Sequence, residues 1–255
     1  MILPPNRLKR ALKAGQMQLG IWHTFGGALN AELLATLGYD WVLIDTEHAA
    51  IEVSEVLPCL QAIAAYPETS AVVRVSTNST DLIKHHLDQG AQSIMVPNVR
   101  SRAEAQKAVE AMHYPPRGVR GMAGMTRATR FATIANYPAV ASDELMLILQ
   151  IESPEGLADI EEIAALKGVD ALFIGPADLS AAMGFPGNQR APEVVAAVRD
   201  AMARISATGT AAGILTFDES LRAECVAAGM RLNAIGVDME LLASGARALL
   251  QRERG

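Results

Sequence analysis

The sequence has few aromatic residues and few cysteines, and none of its apolar runs is long. Aromatic side chains make up 4% of the 255 residues and hydrophobic residues 50%, so aliphatic side chains must fill most of the core. Cys59 and Cys225 lie far apart in helical patterns and form no CxxC pair, which predicts reduced thiols. No apolar run approaches the ~20 residues that span a bilayer, and no apolar signal segment follows the basic amino end. We therefore expect a cytoplasmic protein without a membrane partner.

Positive charge, nucleotide-binding glycines and linkers are lacking as well. The formal net charge of -6 argues against nucleic acids and anionic membranes as partners. No GxGxxG motif follows a predicted strand, which weakens a dinucleotide-binding fold. No Gly/Ser/Pro-rich stretch divides the chain, so we predict one domain over residues 1–255.

Eight apolar runs of strand length alternate with helical patterns along the chain. Continuous apolar runs are typical of strands buried on both faces of a parallel sheet. Eight such repeats predict an α/β fold, a (β/α)8 TIM barrel. The predicted strands are 18–25, 41–48, 70–75, 93–99, 145–152, 171–178, 210–215 and 234–238. The predicted helices include 28–37, 54–65, 79–89, 101–112, 192–207, 217–228 and 239–252, with 6–14 closing the bottom of the barrel and 114–136 as the longest irregular interval.

Two carboxylates end neighbouring predicted strands. Glu152 closes the fifth predicted strand and Asp178 closes the sixth, and the carboxyl ends of barrel strands carry the chemistry in this fold. A pair of carboxylates there suits a hard divalent cation. The alternative is that each residue caps the helix that follows it. Their equivalent positions on two strands favour the metal site.

Arg74 and His48 are the cationic candidates. A guanidinium within a buried strand is costly unless it meets an anion, so Arg74 is predicted to clamp a substrate carboxylate or a developing oxyanion. The alternative is an internal salt bridge to Asp45 or Glu152. His48 closes the second predicted strand, where a histidine suits a general base near neutral pH. It is otherwise a capping or packing histidine.

Three further positions allow two interpretations each, and a fourth allows one. Gln150 lies two residues before Glu152 on the same strand face, so it either lines the barrel mouth or fills the core through a hydrogen bond. Trp22 either forms the wall of a pocket or packs in the core. The free N–H groups of segment 175–180 suit a carboxylate or phosphate, or simply open a helix. Asp88, judged alone, is a surface residue at a helix end.

The ordered set of motifs resembles the class II, metal-dependent pyruvate aldolases of the 4-hydroxy-2-oxoheptanedioate aldolase family. The resemblance spans nearly the whole chain and implies the barrel type of enzymes that handle phosphoenolpyruvate or pyruvate. The matching segments are Asp45-Thr-Glu-His48, Arg74, Met95-Val-Pro-Asn98, Tyr114-Pro-Pro-Arg-Gly-Val-Arg-Gly121, Gln150-Ile-Glu152, Gly175-Pro-Ala-Asp-Leu-Ser180 and Gly236-Val-Asp238.

The resemblance implies a metal and a pyruvate subsite. Glu152 and Asp178 would bind Mg²⁺ or Mn²⁺, with Co²⁺ or Zn²⁺ as tolerated ions. Gln150 and the backbone around Ala177 and Asp178 would hold pyruvate. Trp22, the loop 118–125 and Leu215 are expected to shape the aldehyde pocket.

The resemblance also implies a reaction, reversible cleavage of 4-hydroxy-2-oxo acids to pyruvate and an aldehyde. Arg74 would stabilise the enolate-like transition state, and His48 would be the base, with Asp88 raising its basicity. Family members are often hexamers that exchange the final helix, and the Ala/Leu-rich segment 241–250 is compatible with such a homo-oligomer.

Three other functions remain as alternatives. The first is a citramalyl- or malyl-CoA lyase, or another phosphoenolpyruvate-handling enzyme, on the same barrel. The second is a barrel that acts as a scaffold without catalysis. The third is a lysine-dependent aldolase, which is disfavoured because Lys84, Lys107 and Lys167 fall in or at the ends of helical patterns.

Overall fold

The computed structural model describes residues 1–255, and its eight strands close into a parallel barrel in which β1 pairs with both β2 and β8. The predicted (β/α)8 architecture is therefore confirmed. The strands are β1 Gln18–His23, β2 Trp41–Asp45, β3 Ser70–Arg74, β4 Ser93–Val96, β5 Met146–Ile151, β6 Ala171–Ile174, β7 Ala211–Leu215 and β8 Leu232–Val237.

Helices surround the barrel and follow the strands in chain order. None of them is long and apolar enough to cross a membrane. They are α1 Arg7–Lys13, α2 Ala28–Thr36, α3 Val53–Ile63, α4 Thr80–Asp88, α5 Arg102–Met112, α6 Tyr137–Glu144, α7 Pro154–Ala158, α8 Ile160–Ala164, α9 Pro176–Ala182, α10 Pro192–Thr208, α11 Glu219–Ala227 and α12 Asp238–Arg254.

The strands bury side chains on both faces, which accounts for their continuous apolar runs. A cluster of 43 buried residues fills the space between strands and helices, and a cluster of 13 fills the barrel. Leu8 and Leu12 of α1 belong to the inner cluster, so α1 closes the bottom of the barrel as predicted. Gly20 leaves room for Trp41, because a Cβ at Gly20 would lie 2.0 Å from the indole.

The strands end earlier at the barrel mouth than predicted. The second stops at Asp45, where its carboxylate accepts a hydrogen bond from the Glu47 N–H at 3.0 Å. The fourth stops before Pro97 and the sixth before Gly175. Polar residues after these points therefore lie on loops and helix starts rather than on strands.

Two helices also differ from the prediction. Helix α6 occupies residues that the sequence analysis left without structure, and it opens with Pro138 in its first turn. Asp238, predicted as the last residue of the eighth strand, is the first residue of α12. The long irregular interval 114–136 contains no helix or strand, as expected.

Candidate active site

Arg74 is the centre of the polar cluster at the barrel mouth. It is the last residue of β3 and only 6% exposed. Its Nε donates to Asp45 Oδ1 at 2.9 Å and its Nη2 to Asp45 Oδ2 at 2.6 Å, a bidentate pair. The guanidinium lies 5.5 Å from the ring centre of Trp22. The internal salt bridge to Asp45 is therefore present.

The other edge of the Arg74 guanidinium faces two more acceptors. Its Nη1 lies 2.9 Å from Glu47 Oε2 and donates to Gln150 Oε1 at 3.4 Å. A guanidinium carries five N–H groups. Three of them donate hydrogen bonds, two to Asp45 and one to Gln150, and Glu47 Oε2 forms an ion pair with Nη1 but no hydrogen bond, so one N–H of Nη1 and one of Nη2 have no protein acceptor. The salt bridge and the anion clamp are thus compatible functions of one side chain.

Glu152 follows β5 and points into the same mouth, 4% exposed. Its Oε1 accepts from the Asn98 N–H at 2.8 Å, and its Oε2 accepts from Gln150 Nε2 at 3.4 Å. A Cβ at Gly175 would lie 2.2 Å from Glu152 Oε2, so glycine is required there for this carboxylate position. Ser153 caps α7, so the helix-capping alternative for Glu152 is wrong.

Asp178 lies in the first turn of α9, which begins directly after Gly175. Its side chain makes no helix-cap hydrogen bond, and the residue is exposed. Burial, followed by the negative charges of Asp178 and Glu47, raises the pKa of Glu152 to about 7. The two predicted metal ligands are therefore close enough to repel each other.

The cluster fits a hard divalent cation. A buried carboxylate that is repelled by neighbouring carboxylates is stabilised by a cation, and carboxylate oxygens are ligands that Mg²⁺ and Mn²⁺ prefer. No three His, Cys, Asp or Glu side chains are grouped so that they hold a metal by themselves. An ion at Glu152 and Asp178 would therefore complete its coordination with water or substrate.

His48 lies on the loop after β2, at the rim. Its side chain is 60% exposed, with Nε2 3.9 Å from Glu47 Oε2. It is therefore not packed in the core, and its ring is open to a substrate in the mouth.

The chain is similar in sequence and in structure to proteins of one family. The model of the HpcH/HpaI aldolase/citrate lyase family matches residues 18–245. The chain belongs to this family. It is 50% identical over 252 residues to a pyruvate aldolase of Rhizobium etli, covering 99% of both chains. It is 47% identical over 248 residues to a 4-hydroxy-2-oxo-heptane-1,7-dioate aldolase of Salmonella heidelberg, covering 97% of this chain and 94% of that protein. A crystal structure of a family protein from Burkholderia cenocepacia superposes with a TM-score of 0.94 at 38% identity, covering 98% of this chain and 100% of that one.

Asp88 is the one predicted catalytic position that lacks its expected contact in this HpcH/HpaI chain. Its Oδ1 accepts from Arg120 Nη2 at 2.7 Å, and the Arg120 guanidinium stacks 4.6 Å from the Tyr114 ring. No hydrogen bond or ion pair joins Asp88 to His48 within the chain. The role of Asp88 in raising the basicity of His48 stays a prediction.

The residues predicted to bind substrate take different positions in the mouth. Trp22 is 3% exposed and packs against Phe173 at 5.4 Å, so it supports Arg74 from below rather than forming an open pocket wall. Leu215 ends β7 and is partly exposed. The N–H groups of Ala177 and Asp178, in the first turn of α9, have no backbone acceptor.

Sequence reasoning missed two supports of the HpcH/HpaI site. Asn98 adopts a left-handed backbone, with φ 50°, and this turn presents its N–H to Glu152. Asp238 joins α12 to β1 by accepting from Thr24 and lying 2.8 Å from His23 Nδ1. The Pro97-Asn98 dipeptide was a usable signal for the turn, whereas no local signal pairs His23 with Asp238.

Proposed function

We propose that this protein catalyses reversible, metal-dependent aldol cleavage of 4-hydroxy-2-oxo acids to pyruvate and an aldehyde. Relatives at 46–50% identity over nearly the full chain have aldolase names. The observation that carries the proposal is the buried Glu152 carboxylate, whose position requires Gly175, in the same mouth as the Arg74 guanidinium with its unpartnered N–H on Nη2. No observation favours a thioester lyase, a phosphoenolpyruvate enzyme or a scaffold.

The metal belongs to this proposal. HpcH/HpaI aldolases generally depend on a divalent metal. Glu152 and Asp178 would hold the ion, with Mg²⁺ or Mn²⁺ the expected species and Co²⁺ or Zn²⁺ tolerated. Such an ion supplies Lewis-acid chemistry to the keto acid.

Arg74 stabilises negative charge in the cleavage step. When the C3–C4 bond breaks, its electron pair forms the C2–C3 double bond and the C2 oxygen becomes an oxyanion. The free N–H of Arg74 Nη2 donates to that oxygen, and preorganised donors of this kind stabilise a transition state more than a ground state. Asp45 and Trp22 hold the guanidinium so that it need not reorganise.

His48 accepts the proton that the C4 hydroxyl loses in the same step. Its exposed ring at the rim reaches the aldehyde end of a bound substrate, with Glu47 nearby. In the synthetic direction the same nitrogen returns the proton to the alkoxide. Asp88 is retained in this proposal as the group that raises the basicity of His48.

The pyruvate half is held opposite His48. Gln150 offers its amide, and the N–H groups of Ala177 and Asp178 are free to donate to a carboxylate. The aldehyde half would contact Leu215, which is partly exposed, and the loop 118–125, which is exposed apart from Gly118 and the buried Arg120. Because Gly118 and Arg120 pack at the ends of α5 and α4, the loop would come from a neighbouring subunit.

The test is pyruvate release from a panel of 4-hydroxy-2-oxo acids, each with Mg²⁺, Mn²⁺, Co²⁺ and Zn²⁺. We expect turnover that depends on the ion, and the panel identifies the preferred aldehyde. Cleavage of citramalyl- or malyl-CoA with no turnover of any hydroxy-oxo acid would instead indicate the thioester lyase.

A homohexamer in the cytoplasm completes the proposal. Helix α12 has no buried residue in the single chain and exposes Leu241, Leu242, Leu249 and Leu250. An apolar helix face of this kind suits exchange with another subunit. Light scattering of the purified protein measures the subunit number, and cell fractionation measures location.

A further inference from the structure

A cavity of about 400 Å³ lies at the floor of the barrel, at the end opposite the active site. It is bordered by Leu145 and Leu147 at the start of β5 and by Asp170 just before β6. Glu152 follows the other end of β5. Since a strand rises about 3.3 Å per residue, the cavity lies roughly 20 Å from the active site.

The cavity is lined by more positive than negative charge, in a protein that is acidic overall. Its cations are Lys9, Lys13, Arg117 and Lys167, and its carboxylates are Asp143 and Asp170. Lys9 lies 3.2 Å from Asp170 Oδ1 and donates to the Leu145 carbonyl, so this pair is internally neutralised. Lys13, Arg117 and Lys167 form no ion pair.

A buried histidine forms part of the same wall. His113 is 7% exposed, and its Nδ1 lies 3.1 Å from Ser142 Oγ. Its Nε2 has no hydrogen-bond partner and lies beside Gly168, which also lines the cavity, 3.6 Å from where a Cβ there would be. Burial, followed by the charges of Arg117, Lys9 and Arg120, lowers the pKa of His113 to about 4. The cavity is therefore a region of positive potential with an unused polar atom in its wall.

We propose that this cavity binds a compact dianion, a phosphate or a dicarboxylate, through Arg117, Lys167 and Lys13 with His113 at its base. Arginine and lysine bind such groups by charge-assisted hydrogen bonds, and the volume admits a small metabolite. The site is separate from the aldolase chemistry and does not depend on it.

The experiment compares two charge-matched double variants of the metal-loaded enzyme. R117Q/K167Q removes two exposed cations from the cavity, and R7Q/R199Q removes two exposed cations from α1 and α10, outside the cavity. Inorganic phosphate, malonate and pyruvate are titrated calorimetrically into each protein at constant ionic strength. Melting temperature with and without each anion gives a second measure, because a ligand of the native state stabilises it.

We expect the wild-type enzyme and R7Q/R199Q to bind phosphate or malonate equally, and R117Q/K167Q to bind at least about tenfold more weakly with unchanged turnover. Preference for phosphate over malonate, or the reverse, identifies the ligand class. Equal affinity in both variants would place the anion elsewhere, including at Arg74, and would overturn the proposal. Absence of saturable binding to the wild-type enzyme would overturn it too, and would leave the floor as a surface for another macromolecule.

Discussion

Arg74 has one function in the fold and one in catalysis, and the variants Arg74→Lys and Arg74→Ala distinguish them. Its bidentate pair with buried Asp45 is structural, and its spare N–H is available to substrate. A lysine retains the charge near Asp45 but cannot form the planar fork. We expect Arg74→Lys to fold and to lose about 10²–10³ in kcat, the usual effect of removing an oxyanion donor.

Arg74→Ala is the contrasting variant, because it leaves the Asp45 carboxylate buried and unpaired. Breaking a buried ion pair in this way costs about 3–5 kcal/mol. Urea denaturation of both variants, beside their kcat values, measures the separation. Arg74→Lys with wild-type turnover would show that the guanidinium serves only the fold.

Gly175 provides a sharper test of the Glu152 position. Its backbone φ of −103° is accessible to alanine, so the substitution is opposed by contacts of the new Cβ with Glu152, 2.2 Å from Oε2 and 3.0 Å from Cβ. We expect Gly175→Ala to keep the fold and to weaken Mn²⁺ binding about 10–100-fold, the usual effect of disturbing groups around a metal ligand. Gly124→Ala is the control, because a Cβ at Gly124 meets nothing within 4 Å. Equal Mn²⁺ affinity in both variants would contradict the assignment of Glu152.

The sequence identified Arg74, Glu152 and Gln150 because a polar residue within a buried apolar run is conspicuous in one dimension. It could not show that Asp45 holds Arg74, since that choice depends on the register between β2 and β3. Nor could it pair Asp88 with Arg120, which lies on a loop of no regular pattern.

Among the helices and strands, apolar runs in the sequence predicted the position of every strand but not the residue at which each strand ends. The second strand stops at Asp45 and the sixth at Ile174, whereas the predicted strands extend to His48 and Asp178. Helix α6 was missed because it is short, and its Tyr137 and Ala141 belong to a small cluster separate from the two main ones.

His113, the residue that follows α5, makes a pH-dependent contribution to the free energy of unfolding. The folded pKa of His113 is lowered to about 4 from an ordinary value near 6.5, chiefly by burial. Between these values the unfolded chain binds a proton that the folded chain does not, so stability falls as pH decreases from about 6.5 to about 4.

We expect His113→Gln to flatten that decrease, measured as the free energy of unfolding in urea at several pH values. His85→Gln, at an exposed position of α4, is the control and should keep the wild-type slope. An unchanged slope in His113→Gln would assign the acid sensitivity to other groups, among them His86, whose pKa burial also lowers.

At the scale of the whole molecule, the lysines lie away from the centre of the mouth. Lys9, Lys13 and Lys167 border the floor cavity, Lys84 lies on α4, and Lys107 of α5 borders a cleft at the rim with Glu47 and Asn98. We therefore expect borohydride with pyruvate to leave the enzyme active, since no imine forms. Mass spectrometry after treatment measures this, and a reduced pyruvate adduct on any lysine would indicate the Schiff-base mechanism.

The sequence predicted the architecture of the whole molecule best. Eight repeats of the strand–helix pattern indicated the barrel, and an ordered set of motifs along the chain indicated the family. It could not place α12, whose apolar face has no partner within a single chain.

The central claim is that Glu152 and Asp178 hold the divalent cation on which aldol cleavage depends. Its most direct test is titration of the chelator-treated enzyme with Mn²⁺, following free Mn²⁺ by electron paramagnetic resonance and pyruvate release in the same samples. We expect activity to rise in proportion to bound Mn²⁺ up to one ion per chain, and we expect Glu152→Gln/Asp178→Asn to fold but to lose both binding and turnover. Turnover that survives thorough chelation, or normal Mn²⁺ binding by the double variant, would contradict it.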